Sequence, residues 1–451
     1  MVGKKTRPVF ELLKSLKDPP IQTHTVESGY DSLNYIQLNP IDGVIISDRL
    51  ELMSPQDTIK RLLAHPHRIP VWLWVTQPDI NTLNDCLIAG CDRWLLSSSS
   101  PKVLHKLIAS GLTQFGGFPV IDQKRFQLRK KFGINNLIGA SSAMMDLYYT
   151  LERTIDTDIP VLIQGESGSG KELVARLIHL TSPRAGEKMV SLNCAAVPEK
   201  LMESELFGYE KGSFTGAHIQ KKGKFEYAHK GTLLLDEIAD MDLLMQSKIL
   251  RVVELQEFER IGSNEPRKAD VRIISATNKD LDQAIRKNRF RLDLFYRINN
   301  FTIKVPPLRD RYGDFLPLMV YFLNRTNQKN RRRIQTFDLE ILALFHTYSW
   351  PGNIRQFESF LTRAALFSDG SHLSAGTVAA FLEPLQKADA ISEPPMAESG
   401  KVASIKTLER EAILNALDEA HGNITAAAKI LGLSRVTVWR KMERYQIKPK
   451  A

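Results

Sequence analysis

Gly165-Glu166-Ser167-Gly168-Ser169-Gly170-Lys171-Glu172 follows directly on an apolar tetrapeptide, VLIQ at 161–164. The spacing is G-x-x-x-x-G-K. Glycines let such a loop curl so that backbone N–H groups point at phosphate oxygens, the following helix adds its positive N-terminus, and the lysine reaches the β/γ-phosphates. The residue after the lysine is Glu172, where a Ser or Thr hydroxyl commonly holds magnesium. A glycine-rich turn without a ligand is the competing reading; the strand–loop–helix context and the lysine weigh against it. Sixty-five residues beyond Lys171, the run Gly231-Thr-Leu-Leu-Leu-Asp236-Glu237 is an apolar strand ending in two acids. Asp236 is placed to hold magnesium and Glu237 to polarise an attacking water, with a third strand ending at Asn278 beside the nucleotide. Charge developing on a transferring phosphoryl group also calls for arginine. Arg291 and Arg297 are candidates for fingers supplied by a neighbouring subunit, and Arg355 for a contact within its own, but an isolated arginine is usually a surface group and these roles depend on the resemblance given below.

Three blocks carry these residues. In 1–115, VIIS (44–47) and VWLWVT (71–76) have the composition of buried strands, and 54–64 and 80–90 have helical spacing. Strands alternating with helices imply a parallel sheet. The block 134–385 contains the nucleotide motifs, with 116–133 as a linker helix before it. Residues 386–404, QKADAISEPPMAESGKVAS, are rich in Pro, Ser, Ala and Gly and read as a flexible linker. The whole has 451 residues, which suits two to four domains at roughly 100–200 residues each. With 43% hydrophobic and 25% charged residues it is an ordinary globular chain rather than a disordered or fibrous one. No apolar run approaches the ~18 residues of a membrane span, and the first twenty residues lack a signal-peptide core. Cys86, Cys91 and Cys194 make no disulfide framework or obvious zinc site, so a reduced, cytoplasmic compartment is expected.

Lys and Arg outnumber Asp and Glu by 61 to 51, a formal charge of +10. Ten of those bases and five of those acids fall in 401–451, so half the excess sits in the last fifty-one residues. There, Asn423-Ile-Thr-Ala-Ala-Ala-Lys-Ile-Leu-Gly432 reads as a short, small-residue helix ended by glycine. Ser434 then caps a second helix carrying Arg435, Thr437, Arg440, Lys441 and Arg444. This is helix-turn-helix chemistry, with the second helix for the major groove of DNA. A basic solvated helix is the bland alternative.

The central block resembles the AAA+ domain of bacterial enhancer-binding proteins, the activators of sigma-54 RNA polymerase. The resemblance is carried, in order, by GESGSGKE (165–172), SLNCAAVPEKLMESELFGYEKGSFTGA (191–217), GTLLLDEIADM (231–241), ISATNKDL (274–281), FRLDLFYRIN (290–299), PPLRDR (306–311) and WPGNIRQFE (350–358). It implies a P-loop NTPase fold with a helical lid, ATP and Mg2+ as cofactors, and assembly from dimers into a hexameric ring. It further implies that Asn193 is the switch residue holding the catalytic glutamate until ATP binds. The loop Gly212-Ser213-Phe214-Thr215-Gly216-Ala217 would be the segment that contacts sigma-54. Ser213 replaces the usual alanine there, and Lys230 replaces the first of two glycines before the Thr-Leu-Leu-Leu strand. Leu292 and Gln356 each stand where the family usually has an acid. The last block resembles the Fis-type DNA-binding domain that ends most such proteins.

Residues 40–49 resemble strand three of a response-regulator receiver, with Asp48 at the phosphoacceptor position, 71–76 resembles strand four and 89–96 strand five. A flavodoxin-like, receiver-type fold is therefore expected. Phosphoryl transfer to Asp48 would need an acidic pair and a lysine; TRPVFELLKSL has no such pair and the lysine position falls at about Ser97. Some relatives with degenerate receivers respond to cyclic di-GMP, which makes the basic stretch Lys124–Lys131 a candidate for that ligand or else a solvated linker helix. The combined expectation is a three-part α/β protein with an all-α end, binding DNA and hydrolysing ATP to remodel sigma-54 polymerase. Two rivals are a DNA-binding regulator working with another sigma factor, with nucleotide in a signalling role, and an AAA+ ATPase outside transcription.

Overall fold

The computed structural model describes residues 2, 22–65, 69–76, 78–91, 93–114, 137–139, 141–215, 217–368 and 370–392. In the C-terminal unit it describes 413, 416–417, 420, 423–430, 435–445 and 447. The chain divides into two units, 1–384 and 385–451. Among the described residues no helix is long and apolar enough to cross a membrane.

The N-terminal part alternates α1 (Gly29–Leu38), β1 (Val44–Ser47), α2 (Pro55–Leu63), β2 (Val71–Val75), α3 (Ile80–Ile88), β3 (Trp94–Leu96) and α4 (Pro101–Gln114). Ser54 and Asp79 cap α2 and α3 by accepting from the backbone N–H three residues on, which starts each helix where its apolar spacing begins. The strands are parallel in the order β1-β2-β3, and Val2 bridges in parallel to both Ile46 of β1 and Val26. Every residue of β1 and β2 is buried, as a parallel sheet covered on both faces requires.

The central part begins with α5 (Ser142–Glu152), β4 (Val161–Gln164), α6 (Lys171–Leu180), β5 (Met189–Asn193) and α7 (Glu199–Phe207). A small hairpin, β6 (Gly208–Tyr209) with β7 (Lys221–Lys222), precedes β8 (Thr232–Asp236) and α8 (Leu243–Leu255). Then come β9 (Arg272–Thr277), α9 (Leu292–Ile298) and β10 (Phe301–Lys304). The sheet is all parallel with order β10-β4-β9-β8-β5. The chain therefore leaves neighbouring strands β4, β9, β8 and β5 on one edge, the crevice where open α/β sheets bind ligands. Gly231 starts β8 because a Cβ there would lie 2.0 Å from the Lys188 carbonyl.

The lid contains α10 (Phe315–Asn330), α11 (Asn353–Phe367) and α12 (Ala375–Ser392). Its core is a knot of rings in which Trp350 lies 4.9 Å from Phe357 and 5.4 Å from Phe360. Helix α12 runs through Pro384 to Ser392, so the first seven residues of the expected 386–404 linker are helical. Their composition, Gln-Lys-Ala-Asp-Ala-Ile-Ser, contains no helix breaker. Helix α3 of the N-terminal part packs on α10, with the Ile80 amide donating to Gln335 O at 2.8 Å.

In the C-terminal unit, Asn423 Oδ1 accepts from the Thr425 and Ala426 amides and opens α13 (Ile424–Ile430). Helix α14 (Arg435–Arg444) packs Val438 and Met442 against Ala427 and Ala428, whose small side chains permit the close crossing.

Candidate functional site

Between β4 and α6 the loop 165–170 turns under steric compulsion. Gly168 (φ +73°) and Gly170 (φ +106°) occupy the left-handed region, and a Cβ on Gly168 would stand 2.4 Å from Gly352 O of the lid. Gly170 is the N-cap of α6 and offers no side chain to the first-turn amides; the Leu173 amide donates to Gly170 O at 3.0 Å, and the end of the helix favours an anion. Lys171 is buried, and its Nζ donates to Gly165 O at 3.0 Å and lies 3.1 Å from Glu237 Oε1. Glu172 turns along the helix to pair with Arg176 at 2.7 Å.

The acids close the opposite wall. Asp236 ends β8 in register with Asn193 of β5, whose Nδ2 donates to Asp236 Oδ2 at 3.3 Å. Glu237 has φ +52°, an uncommon backbone for a residue with a side chain and one that clusters at functional sites. Its Oε2 accepts from the Asn278 amide at 2.9 Å. Asn193 thus holds Asp236, not Glu237 as expected, because the Lys171 ammonium competes for the glutamate with a full charge where the amide has only a dipole. Burial, then the neighbouring Glu237, raises the Asp236 carboxyl above its ordinary range. Among the described residues no group of three or more His, Cys, Asp or Glu could hold a metal. One carboxylate beside a phosphate loop suits magnesium, which keeps several waters and takes its other ligands from phosphates.

The arginines separate. Arg355 begins α11 with its Cβ 3.1 Å from where a Gly168 Cβ would stand, so it belongs to the loop of its own subunit. Arg297 instead lines a cavity of about 290 Å³ with Asp158, Pro160, Arg272 and Asn300. Those residues precede β4, begin β9 and precede β10, so Arg297 sits at the amino-terminal ends of these strands, opposite the carboxyl end of β4 that leads into its own phosphate loop. Arg291 is half-buried and paired with Asp293 at 2.7 Å.

Two partners of the loop, Arg309 and Asn353, were not anticipated from the sequence. Glu166 receives both Arg309 Nη1 (2.9 Å) and Nη2 (2.5 Å), and Asn353 Nδ2 at 3.0 Å. The Arg309 hydrogen bonds hold the Glu166 carboxyl below its ordinary range. A cavity of about 80 Å³ beside Gly170 is lined by Leu137, Ile138, Leu173, Phe322 and Ile354 together with the charged Arg311, Arg325 and Glu358. The repeated Arg309-Asp-Arg311 and the Asn353 between Gly352 and Ile354 were the available signals, but nothing in their spacing tied them to residues over 140 positions away.

In the 212–217 loop, Gly212 (φ +83°) donates its N–H to Ala217 O at 2.8 Å, and Phe214 packs edge-on to Tyr209 at 4.9 Å. The Ser213 side chain lies against Gly262, and its hydroxyl is buried with no hydrogen-bond partner. Thr215 is exposed; Gly216 lies outside the described residues. Asp48 is buried at the end of the first long strand, with Thr76 N–H and Oγ1 donating to its two oxygens at 2.7 and 2.8 Å. On α14, Arg435 and Arg440 are exposed and Thr437 and Lys441 half-buried; Ser434, and with it the expected cap, lies outside the described residues. So does the basic stretch 124–131 and the whole 116–133 linker.

Comparison with known proteins agrees with this arrangement. Residues 137–304 match the sigma-54 interaction domain, 309–393 the AAA+ ATPase lid domain, and 404–445 the Fis family of bacterial regulatory proteins. The chain is 36% identical over 430 residues to the regulatory protein AtoC of Escherichia coli K12, covering 95% of this chain and 93% of that one. It is 38% identical over 423 residues to the transcriptional regulatory protein ZraR of Klebsiella oxytoca, covering 92% of each. Among solved structures, NtrX from Brucella abortus in complex with ADP is 29% identical over 99% of both chains, with a TM-score of 0.51. The match to a sigma-54 domain decides against action through another sigma factor, and the Fis-type match against an ATPase outside transcription. The chain belongs to the sigma-54-dependent, enhancer-binding transcriptional activators, which are AAA+ ATPases with a Fis-type helix-turn-helix.

Proposed function

We propose that the convergence of Lys171, Asp236 and Glu237 in one crevice is the hydrolytic centre that drives remodelling of sigma-54 polymerase. The carrying observation is the Lys171–Glu237 contact across 66 residues of sequence, which brings the phosphate-binding cation and the water-activating carboxylate to one point. Lys171 and the first-turn amides of α6 bind the phosphates, and the cavity at Leu137 and Ile138 takes the base. Phosphate reaching Lys171 competes with Glu237 for the same ammonium, so nucleotide releases the carboxylate to accept a proton from water. Asp236 would hold magnesium, which supplies neutralisation of phosphate charge. Arg355 would act within its own subunit. Arg297, at the amino-terminal ends of the strands, and Arg291 would serve a neighbouring subunit's nucleotide in a homo-oligomeric ring.

The loop 212–217, with Phe214 at its tip, would carry the motion to sigma-54. Helix α14 would place Arg435, Thr437, Arg440, Lys441 and Arg444 on an upstream DNA site. The N-terminal part is read as a receiver-like regulatory domain, a reading supported by parallel pairing in the order Val26, Val2, β1, β2, β3, the 2-1-3-4-5 order of flavodoxin-like sheets. Asp48, with both oxygens already bonded to Thr76, is there a structural anchor of the β2 exit. The test is transcription in vitro with purified sigma-54 holoenzyme. Glu237→Gln should lose open-complex formation while footprinting the same DNA site, and unchanged transcription would overturn the proposal.

A further inference from the structure

We infer that Asn353 is a positioning residue for nucleotide binding, setting the phosphate loop from the lid; the inference rests on reading 165–172 as that loop. Asn353 is fully buried and uses both ends of its amide. Nδ2 donates to Glu166 Oε2 at 3.0 Å and to Ser167 O at 3.1 Å, while Oδ1 accepts the Leu308 amide at 2.7 Å. The residue after Leu308 is Arg309, which grips the same Glu166 carboxylate with two nitrogens. The residue after Asn353 donates its N–H to Gly168 O at 3.1 Å. Consecutive loop residues 166, 167 and 168 are thereby each fastened to the start of α11 or to the single turn Leu308–Asp310.

The fastening has a direction. In a trans peptide the carbonyl and the following N–H point opposite ways. Drawing the Ser167 carbonyl toward Asn353 turns the Gly168 N–H away from the lid, the outward presentation that an anion-accepting loop needs. The lid segment holds an uncommon backbone to do this: Trp350 has φ +52° and Asn353 φ +50°. Trp350 is locked by its ring neighbours and by an Nε1 bond to Phe345 O at 2.8 Å, so its surroundings over-determine the strained turn. Asparagine tolerates the left-handed region better than other side chains do, which fits it to a position needing both that backbone and a two-ended amide.

Asn353→Gly in the full chain removes the amide while keeping the backbone free to adopt its positive φ. The expected result is a KM for ATP and a Kd for ADP each raised about tenfold with kcat at saturating ATP changed little, and a lowered melting temperature because the buried Leu308 amide loses its acceptor. Asn353→Asp, which places a second carboxylate against Glu166, should weaken binding further. A nucleotide Kd within about twofold of the parent in folded Asn353→Gly overturns the inference, as does a fall in kcat and melting temperature at constant KM. Glu166→Ala carries the same expectations should Asn353→Gly not fold, because it removes the carboxylate shared by Asn353 and Arg309 without touching the lid backbone. Lys171→Ala, run alongside, separates the two readings. Binding that survives Lys171→Ala defeats the phosphate-loop reading itself, whereas binding lost there but unchanged in Asn353→Gly defeats only the role of Asn353.

Discussion

The Lys171 ammonium and the Glu237 carboxylate lie 3.1 Å apart in side chains that are 7% and 15% exposed, so the cation proposed for phosphate is neutralised by the acid proposed for water. A buried pair of this kind holds both groups in place, and removing one partner leaves the other costly.

Glu237→Gln should lower ATP turnover by about 10²–10⁴-fold, the usual contribution of a positioned base. The amide also frees the Lys171 cation, so ATP affinity should stay the same or rise. Equilibrium titration with a fluorescent ATP analogue beside a phosphate-release assay checks both halves; weaker binding with intact turnover contradicts the assignment.

Asp236→Asn should abolish hydrolysis yet raise the melting temperature at neutral pH. Burial raises the native carboxyl above its unfolded value, so its charged form disfavours the fold at any pH above both values. That penalty disappears as pH falls below the ordinary aspartate range, and the stability gain of the variant should shrink with it. Calorimetry at neutral and mildly acidic pH reads the trend, and a gain that grows on acidification contradicts it.

Lys230→Gly should stabilise the central part by about 0.5–1 kcal/mol. Lys230 is exposed with φ +64°, a conformation costing a side chain about 1–2 kcal/mol, from which the added chain entropy of glycine is subtracted. Its amide still donates to Asp270 O at 2.7 Å in either residue. A lowered calorimetric transition in the variant would rule out the backbone explanation.

Ser213→Ala should tighten the base of the 212–217 loop, because a buried hydroxyl without a partner costs about 1–3 kcal/mol. Hydrogen exchange of the Gly212 amide, which donates to Ala217 O, is the local probe. Faster exchange in the alanine variant would show that Ser213 supports the loop.

Arg440→Ala should weaken DNA binding in one of two distinguishable ways. A phosphate contact would reduce the salt slope of log K by about 1 at every site, whereas a base contact would cost about 1–3 kcal/mol on the specific site alone. Binding unchanged on both specific and non-specific DNA would remove Arg440 from the interface.

Much of the site was legible because its parts are local. The Gly168 and Gly170 turns, the Lys171 helix start and the Asp236-Glu237 strand end each depend on backbone conformations specified within a few residues. The same holds for Asn423 capping α13 and for the small Ala427 and Ala428 at the helix crossing. Lys230 was legible as a departure, and its positive φ supplies the reason glycine is usual there. The helical start of the 386–404 stretch was missed because Pro and Ser downstream dominated its composition.

What the sequence by itself determined is therefore the identity of the chemistry: a phosphate loop, a strand-end acid pair and a basic helix pair for DNA. Only the tertiary structure decided the partnerships. Strand order brings Glu237 to Lys171 and directs Asn193 to Asp236, and the packing of the lid puts Asn353 and Arg309 on Glu166 while Arg297 lies at the amino-terminal ends of the strands. A motif encodes its own turn through sterics acting over a few bonds, but contacts spanning 43 to 187 residues depend on which strands pair and which faces bury.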